Sequence, residues 1–117
     1  MFELMVEDTF SAAHQLKGYK GECERLHGHT FRVQVFLSAA KTGGEGMVLD
    51  FHLIKEKLKM VLAEFDHNFL NELAYFKDLN PTSENLAKLI FEKLKRDIPQ
   101  LSKVTVWESP NTSASYS

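Results

Sequence analysis

Several features of secreted, membrane-bound and nucleic-acid-binding proteins are missing from this sequence. It has one cysteine, Cys23, in 117 residues, so it can form no intrachain disulfide, which fits a reducing compartment. No apolar run approaches the roughly 20 residues that span a bilayer, and residues 1–10 lack the basic start of a signal peptide. Fourteen Lys and Arg against sixteen Asp and Glu give a formal net charge of -2, which offers no basic field for nucleic acid or an anionic membrane. We therefore expect a cytoplasmic protein that binds neither.

The length and the ordinary composition favour one soluble domain over residues 1–117. Domains commonly run to about 100–150 residues, and 44% apolar with 26% charged residues is usual for a globular protein. A chain this short buries a limited core, so we expect a deep active-site pocket to need walls from neighbouring subunits.

Two segments in the first third of the chain alternate between apolar and polar residues, which indicates strands with one buried face. His14 continues the parity of five apolar residues in the first segment: Phe2, Leu4, Val6, Phe10 and Ala12. In residues 26–39, His27 and His29 share a face with four apolar residues: Phe31, Val33, Val35 and Leu37. Because two histidines two residues apart on a strand project the same way, their imidazoles can converge on one ion.

The middle of the chain has the period of helices. Asp50 can cap a first helix, whose periodicity stops at Asp66-His67-Asn68. A second helix opens at residues 80–84, where a hydroxyl stands at the expected N-cap, and Pro99 ends it. The apolar stripe of the first helix consists of Phe51, Ile54, Leu58, Val61, Leu62 and Phe65.

Two further alternating segments, Lys103–Glu108 and Ser113–Ser117, follow the second helix. The order strand, strand, helix, helix, strand, strand predicts an α+β fold: a four-stranded antiparallel sheet with two helices, inserted between strands 2 and 3, on one face. Such a sheet has two open edges, which proteins usually cover, bend or pair. We therefore expect a homo-oligomer joined through sheet edges.

Three of the five histidines, His14, His27 and His29, lie within sixteen residues. Three neutral imidazoles from two paired strands are a natural set for Zn²⁺, with a fourth position left for water or substrate, although imidazole also suits iron, nickel or copper. A His-x-His pair alone often arises by chance; the matching parity of His14 and the nearby Cys23 favour a metal site. His52, in the first turn of a helix near lysines, is interpreted as a surface residue.

Cys23 has three interpretations. As a fourth ligand it would close a Cys-His₃ site typical of structural zinc, and as a buried small hydrophobe it would be inert. As a thiolate beside a cation its pKa would fall from the usual ~8.5 towards neutrality, which suits a base. The polar residues 22–25 argue against burial, but ligand and base stay open.

Two further groups could take part in chemistry. The aspartate of Asp66-His67 could orient the imidazole and stabilise its charged form, although such a pair at a helix end is often a cap or a solvated loop. Glu108 has the inner parity of Val104 and Val106, where a carboxylate costs free energy unless it is partnered. It could accept two hydrogen bonds from a guanidine-like edge, or lie beyond the strand end in water.

The sequence resembles the 6-pyruvoyltetrahydropterin synthase and 6-carboxytetrahydropterin synthase family over nearly its whole length. This resemblance implies the tunnelling fold, in which sheets from several subunits close into a barrel with active sites between subunits, here a hexamer built as a dimer of trimers. The matching segments, in family order, are Phe10-Ser11-Ala12-Ala13-His14, Cys23-Glu24-Arg25-Leu26-His27-Gly28-His29, Val48-Leu49-Asp50-Phe51, Leu70-Asn71, Asn80-Pro81-Thr82-Ser83-Glu84-Asn85 and Ala114-Ser115-Tyr116.

The resemblance also implies site roles at the matching positions. Cys23 matches the catalytic cysteine, and Asp66 with His67 matches the pair that completes a Cys-His-Asp relay, from an adjacent subunit. Glu108 matches the carboxylate that anchors the amino-pyrimidinone edge of the pterin, and Thr82 is a weaker match to a pterin contact. The zinc ligands match three histidines: His14, His27 and His29.

The implied substrate is 7,8-dihydroneopterin triphosphate, a pterin whose dihydroxylated side chain can chelate zinc. Three residues separate Cys23 from His27; this short spacing resembles the carboxytetrahydropterin synthases, whereas the pyruvoyl enzymes carry a longer insertion. The expected activity is a zinc-dependent lyase that forms 6-carboxy-5,6,7,8-tetrahydropterin, acetaldehyde and triphosphate, a step towards queuosine. Candidates to hold the triphosphate are Arg25, Arg32 and Lys55.

Three alternatives remain. The runner-up is a 6-pyruvoyltetrahydropterin synthase that eliminates triphosphate from the same substrate. A side-chain cleavage towards folate resembles family members with glutamate in place of the catalytic cysteine, and Glu22 and Glu24 flank Cys23. The alternative from another class is a non-catalytic oligomer stabilised by zinc, with Cys23 as the fourth ligand.

Overall fold

Four strands and two helices make up most of the chain. The computed structural model describes residues 1–18 and 25–117. The strands and helices in chain order are β1 (Phe2–His14), β2 (His27–Ala39), α1 (Phe51–Leu62), α2 (Ser83–Lys95), β3 (Leu101–Ser109) and β4 (Thr112–Tyr116). This confirms the predicted α+β arrangement, with two single turns of 3-10 helix, Leu70–Glu72 and Ala74–Phe76, that the sequence pattern does not predict. Within the described ranges, neither helix is long and apolar enough to cross a membrane.

The strands form one antiparallel sheet in the order β1-β2-β3-β4. β1 and β2 pair without a bulge, so Phe10 lies opposite Phe31 and His14 lies opposite His27. Because the register is unbroken, paired residues of the two strands point to the same face of the sheet along the whole length of the pairing. The inward parity predicted for His14 is therefore confirmed, and the residue is only 1% exposed.

β3 lies on the other side of β2 and brings Glu108 to the same end of the sheet. Arg32 pairs with Trp107, so Glu108, the next residue, lies beside the part of β2 that carries the histidines. Arg32 belongs to the opposite face, where its guanidinium carbon is 4.6 Å from the centre of the Trp107 ring and its Nε is 3.7 Å from an oxygen of Glu7. Arg32, a candidate phosphate ligand, thus projects from the face opposite the histidines, although it lines a cleft at the end of β3 together with His29 and Glu108.

α1 begins and packs largely as its sequence predicts. The side chain of Asp50 caps the helix by accepting a hydrogen bond of 2.9 Å from the N–H of His52. The expectation that Phe51 belongs to the buried stripe is wrong: it is 53% exposed, because it lies at the first helical residue, ahead of the turns that pack against β1. Phe65 is buried beyond the helix end, in the turn that leads to Asp66. The buried residues within the helix are Ile54, Leu58 and Leu62.

α2 covers the other half of the sheet. Its N-cap is Thr82, whose hydroxyl accepts a hydrogen bond of 3.1 Å from the N–H of Asn85, as the sequence predicts. The helix packs against β3 and β4 and touches α1, so that its first turn lies next to the end of β3. Its buried residues are Ser83, Leu86, Ala87, Ile90 and Leu94.

An aromatic cluster connects the core with the end of the sheet that carries the histidines. Phe10 and Phe31 stack with ring centroids 4.9 Å apart, and Phe65 lies 5.6 Å from Phe10. The ring of Phe31 also meets the rings of His14 and His29 edge-on, at 5.4 and 5.5 Å. Aromatic pairs of this kind contribute about 0.5–1.5 kcal/mol beyond the area they bury. Packing from the core therefore fixes the planes of two of the three clustered imidazoles.

Candidate active site and metal centre

Three imidazoles converge at one end of the β1–β2 pair. The ring centroids of His14 and His27 are 4.5 Å apart, those of His27 and His29 are 4.6 Å apart, and those of His14 and His29 are 5.1 Å apart. Glu108 joins them, and one ligand atom from each of the four residues lies within 4.8 Å of the other three. These four residues, the metal group below, could hold a metal ion. The sequence places the three histidines together but does not place Glu108 among them.

Two of the imidazoles are fixed in the orientation that a metal ligand needs. Nδ1 of His14 lies 2.8 Å from the carbonyl oxygen of Pro81, and Nδ1 of His27 lies 2.7 Å from the carbonyl oxygen of Arg25. A carbonyl oxygen only accepts, so Nδ1 must be the donor in both contacts. In a neutral ring the proton is then on Nδ1, and Nε2 presents its lone pair to the centre of the group. Metal-ligating histidines are commonly held in this way by a backbone carbonyl.

The inward-facing ring nitrogens lack partners that would explain their burial. Among the described residues, Nε2 of His14 and Nε2 of His29 are buried and make no hydrogen bond of acceptable geometry. Burial lowers the pKa of His29 below its ordinary value of 6.5, against the opposing effect of the Glu108 carboxylate, which favours the neutral form. A buried polar atom without a partner costs about 1–3 kcal/mol. A cation would satisfy both nitrogens, so these residues fit a divalent metal such as zinc.

The carboxylate of Glu108 lies against the same ring nitrogens. Its Oε1 is 2.9 Å from Nε2 of His29, 3.3 Å from Nε2 of His14 and 3.9 Å from Nε2 of His27. These distances alone would suggest ion pairs, yet the Nε2 atom of a neutral His14 carries a lone pair rather than a proton. Two lone pairs at this distance repel unless a positive charge lies between them. The contact is therefore further support for a cation in the metal group.

Asp66 and His67 form a pair on the outer edge of β1. Asp66 Oδ2 is 2.8 Å from Nδ1 of His67, and Asp66 Oδ1 accepts a hydrogen bond of 2.9 Å from the N–H of Ser11. The backbone N–H of His67 donates to the carbonyl oxygen of Ser11 at 2.6 Å. His67 has a φ of 58°, a conformation that costs about 1–3 kcal/mol in a residue other than glycine. These contacts hold the strained turn, and the side chain of His67 is 83% exposed.

Replacing Asp66 with asparagine is expected to lower stability at neutral pH and to change its pH dependence. The N–H of Ser11, and secondly His67, hold the pKa of the Asp66 carboxyl below its ordinary value of 3.8. A carboxyl with a depressed folded-state pKa stabilises the fold above its unfolded pKa, and this contribution is lost as the pH falls through the folded value. The difference in Tm between the wild type and Asp66→Asn should therefore be full at pH 7 and shrink below about pH 4.

Asp97→Asn is the matched control, because the carboxylate of Asp97 makes a long contact of 4.0 Å with Lys57 rather than accepting a short hydrogen bond as Asp66 does. Its thermal unfolding should follow the wild type across the pH range. A Tm difference for Asp66→Asn that stays constant from pH 7 to pH 3 would contradict the assignment of a depressed pKa to Asp66.

Two clefts meet at His29 of the metal group, one on the β1 side of β2 and one on the β3 side. The first, about 550 Å³, extends from the end of β1 to the turn after α1, and the second, about 590 Å³, extends over the end of β3. Gly28, His29 and Thr30 line both clefts, whereas His67 lines only the first and Glu108 only the second. A ligand that reaches the metal group can thus meet the imidazole of His67 and the carboxylate of Glu108 from different sides.

The start of α2 supplies contacts that the sequence does not predict. The hydroxyl of Ser83, a buried residue, donates a 3.4 Å hydrogen bond to Oε2 of Glu108, and the carbonyl oxygen of Pro81 holds His14. Thr82, the predicted pterin contact, uses its hydroxyl to cap the helix. The sequence shows a serine at residue 83, next to the N-cap of the helix. The apolar and polar pattern does not indicate that this serine contacts Glu108.

Two asparagines hold the chain that follows His14. Asn71 accepts from the N–H of Gln15 at 2.9 Å and donates to its carbonyl oxygen at 2.7 Å. Asn80 makes the same pair of contacts with Lys17, both at 2.9 Å. Each side-chain amide thus makes the two hydrogen bonds that the backbone of a neighbouring strand would otherwise make. These contacts connect the end of β1 with the segment before α2, so that His14 and Pro81 stay in register.

Two remaining predictions concern Cys23 and His52. Cys23 lies outside the described residues, so its role stays a prediction. His52 is exposed, as the sequence predicts, and lies in the first turn of α1.

Comparisons with known proteins identify the family. The 6-pyruvoyl tetrahydropterin synthase family profile matches residues 3–117. The 6-carboxy-5,6,7,8-tetrahydropterin synthase of Synechocystis sp. is 40% identical, over 99% of this chain and 93% of its own. The dihydroneopterin monophosphate aldolase of Pyrococcus furiosus is 36% identical, over 86% and 83%.

A solved structure extends the comparison to the fold. The 6-pyruvoyl tetrahydropterin synthase of Caenorhabditis elegans has a TM-score of 0.90 at 34% identity, covering 98% of this chain and 94% of its own. This likeness confirms the predicted tunnelling fold of the subunit. The chain therefore belongs to the 6-pyruvoyl tetrahydropterin synthase family, as a lyase related to its 6-carboxytetrahydropterin synthases.

Proposed function

We propose that this protein is a zinc-dependent lyase that converts 7,8-dihydroneopterin triphosphate to 6-carboxy-5,6,7,8-tetrahydropterin, acetaldehyde and triphosphate. The observation that carries the proposal is the metal group, whose His29 lines two clefts, one of them with His67 and the other with Glu108. Such an arrangement suits a substrate whose side-chain hydroxyls must be acidified and deprotonated. The likeness to the Synechocystis enzyme supports the choice of product.

The zinc would be held by His14, His27 and His29. When bound, zinc supplies a Lewis acid that acidifies the hydroxyls of the substrate side chain. The protein contributes the orientation of the ligands: the carbonyl oxygens of Pro81 and Arg25 turn two rings so that Nε2 faces inward. Burial favours the neutral form of His29, which is the form that binds a metal.

Proton transfer on the side chain is assigned to Cys23 and His67. The Cys23 thiolate would move protons on the side-chain carbons, and His67 would exchange protons with a side-chain oxygen through Nε2. Asp66 is bonded to Nδ1 of His67, and its lowered pKa keeps the carboxylate ionised. An ionised Asp66 orients the ring and stabilises the imidazolium that forms when His67 accepts a proton.

Glu108 is assigned to recognition of the pterin ring. Its two oxygens can accept hydrogen bonds from the ring amino group and the adjacent N–H, and such charge-assisted pairs are stronger than neutral ones. The hydroxyl of Ser83 contacts Oε2 and steadies the carboxylate in the second cleft. The ring would thus be held on the β3 side of β2, with the side chain directed towards the histidines.

The reaction balances without an external oxidant or reductant. With one water, the first side-chain carbon becomes the carboxylate, the remaining two carbons leave as acetaldehyde, and triphosphate leaves from the third. The bond between the first and second side-chain carbons breaks. The side chain loses two electrons in total, and the dihydro ring gains them to become the tetrahydro ring. The protein needs to supply only binding, a Lewis acid and proton transfer.

The runner-up is a 6-pyruvoyltetrahydropterin synthase, which would eliminate triphosphate from the same substrate and keep all three side-chain carbons. The name and the 34% identity of the Caenorhabditis elegans protein, which covers 98% of this chain, support this candidate. Its reaction would use the same metal group and proton-transfer residues. The two candidates therefore differ in product rather than in the architecture of the site.

We further propose that the enzyme is a cytoplasmic homohexamer, a dimer of trimers, that acts in queuosine biosynthesis. The order of the sheet makes β1 and β4 its edge strands, which are available for pairing between subunits. Both clefts beside the metal group are open to solvent, and a neighbouring subunit would provide the missing walls. Sedimentation of the purified protein at several concentrations measures the assembly directly.

One assay decides among the products. The purified zinc-loaded protein is incubated with 7,8-dihydroneopterin triphosphate, and the products are identified by mass, with released acetaldehyde measured separately. Equal amounts of acetaldehyde and 6-carboxytetrahydropterin are expected. A three-carbon product without acetaldehyde would replace the proposal with the runner-up, and a product of aldol-type cleavage would point to the activity named for the Pyrococcus furiosus relative. Unchanged substrate under all metal loadings would favour the non-catalytic zinc-stabilised oligomer.

A further inference from the structure

We propose that Glu108 is the fourth metal ligand while the site holds no pterin, and that pterin binding removes its carboxylate from the metal. The first half of this proposal depends only on the metal group. The second half rests on the proposed pterin function. Together they make Glu108 a ligand that the substrate displaces, in addition to the pterin anchor described above.

The distances within the metal group carry the first half. Four donors that each lie about 2.0–2.1 Å from one ion in a tetrahedral arrangement lie about 3.3–3.4 Å from one another. Oε1 of Glu108 is 2.9, 3.3 and 3.9 Å from the Nε2 atoms of His29, His14 and His27. These values bracket the tetrahedral separation. Oε1 is therefore at the distance from the three Nε2 atoms that a fourth donor to the same ion would have.

The chemistry of the contact points the same way. Nε2 of His14 and of His29 are buried without a hydrogen-bond partner in the part of the chain that the structure describes, yet both lie within 3.3 Å of Oε1 of Glu108. Nε2 of His14 carries a lone pair when the ring is neutral, because its Nδ1 donates to the carbonyl oxygen of Pro81, and a carboxylate oxygen and a nitrogen lone pair do not stabilise one another. Both become ligands if they share a cation, and three imidazoles with one carboxylate are an ordinary donor set for zinc.

The other carboxylate oxygen is held away from the histidines. Oε2 accepts a hydrogen bond of 3.4 Å from the hydroxyl of Ser83, at the first residue of α2. The carboxylate therefore offers Oε1 alone to the metal. Pairing with the amino-pyrimidinone edge of a pterin requires both carboxylate oxygens. Glu108 therefore cannot bind a metal through Oε1 while both of its oxygens accept hydrogen bonds from the ring.

A consequence for function follows from this exclusion. With Glu108 as fourth ligand, a bound metal would offer no open position at which water or an unrelated hydroxyl compound could be activated. A pterin that takes the carboxylate would open this position at the moment when its own side-chain hydroxyls arrive. The exchange would couple recognition of the ring to activation of the side chain.

The fourth ligand is tested with Co²⁺ as the spectroscopic probe, in the full-length protein without pterin. Glu108→Gln keeps the shape of the side chain but removes its charge. Co²⁺ affinity, measured by competition with a chromophoric chelator, should fall at least about tenfold, since even outer-shell partners cost 10–100-fold. The visible Co²⁺ absorption should also change, because one oxygen ligand is replaced.

Glu7→Gln is the matched control, because Glu7 lies on the opposite sheet face, where its carboxylate contacts Arg32 and Gln34. It should retain the wild-type affinity and spectrum, and both variants should keep the wild-type circular dichroism. If Glu108→Gln binds Co²⁺ with wild-type affinity and an unchanged spectrum, Glu108 is not a ligand. That result would leave the proposed lyase activity untouched.

The exchange is tested by adding unsubstituted pterin, which has the amino-pyrimidinone edge but no side-chain hydroxyls to bind the metal. Pterin binding is followed by its fluorescence, and the Co²⁺ absorption of the wild type should shift with the same midpoint. If pterin binds and the Co²⁺ absorption does not shift, the exchange is wrong. The fourth ligand is still decided separately, by the chelator competition. A wild-type protein that fails to bind pterin would overturn both the exchange and the pterin function.

Discussion

Replacing His29 with alanine is expected to remove both the metal and the turnover. The variant deletes one of three imidazoles that converge within ring distances of 4.5–5.1 Å, and two remaining imidazoles hold zinc much more weakly. A bound metal contributes several kcal/mol to transition-state stabilisation, and about 1.4 kcal/mol corresponds to a factor of ten. Zinc, measured by elemental analysis after dialysis, should fall from about one per chain to a trace, and kcat should fall by about 10³-fold or more.

His29 is a better choice for this test than His14. His14 is 1% exposed and packs against Phe31, so replacing it with alanine would leave a cavity that destabilises the fold. A loss of zinc from that variant could then result from unfolding rather than from the missing ligand. The side chain of His29 is 26% exposed. His52→Ala is the matched control, since it removes an exposed histidine of α1 and should keep both zinc and turnover. Full zinc retention by His29→Ala would remove His29 from the ligand set.

The two long strands show why part of the site could be predicted from the sequence. A strand has a period of two, and β1 and β2 pair without a bulge from Phe2↔Ala39 to His14↔His27. The parity in the sequence therefore correctly predicts that His14, His27 and His29 lie on one face of the sheet. Local periodicity determines these positions, so no knowledge of the tertiary packing is needed.

The rest of the metal group depends on packing that periodicity does not report. Glu108 reaches the histidines because β3 pairs with β2 in one particular register, and its contact with Ser83 depends on how α2 meets β3. The carbonyl oxygens of Pro81 and Arg25 belong to the backbone and act as acceptors whatever side chains these residues carry. The residue types at these positions therefore cannot predict this role. Phe51 is the opposite case, in which helical period predicts burial but the end of the helix extends beyond the sheet.

The position of Glu108 also bears on the interpretation of Cys23. A structural Cys-His₃ zinc site would need the fourth coordination position for sulfur. Oε1 of Glu108 lies 2.9–3.9 Å from all three Nε2 atoms, where a fourth donor belongs. If Glu108 fills this position, the thiol does not have to close the site. This argument favours Cys23 as a base beside the metal rather than as a permanent ligand.

Cys23→Ala is accordingly expected to abolish most turnover and to leave the metal in place. A positioned acid or base contributes about 10²–10⁴-fold to a rate, so kcat should fall by about that factor. Zinc content, circular dichroism and Co²⁺ absorption should match the wild type. The spectrum is the sharper readout, because a thiolate ligand to Co²⁺ gives an intense sulfur-to-metal charge-transfer band, which should be absent from both proteins.

Cys23→Ser separates the two roles further. A serine hydroxyl has nearly the size of the thiol but stays protonated near pH 7, so it should fail as a base and lower kcat almost as much as alanine does. If sulfur were instead the fourth ligand, both variants would bind zinc more weakly, and neither would show the charge-transfer band that the wild type would then have. Lost metal together with a lost fold, in variants of a wild type that has no turnover, would support the non-catalytic oligomer. Retained metal with lost turnover places the thiol in the reaction itself.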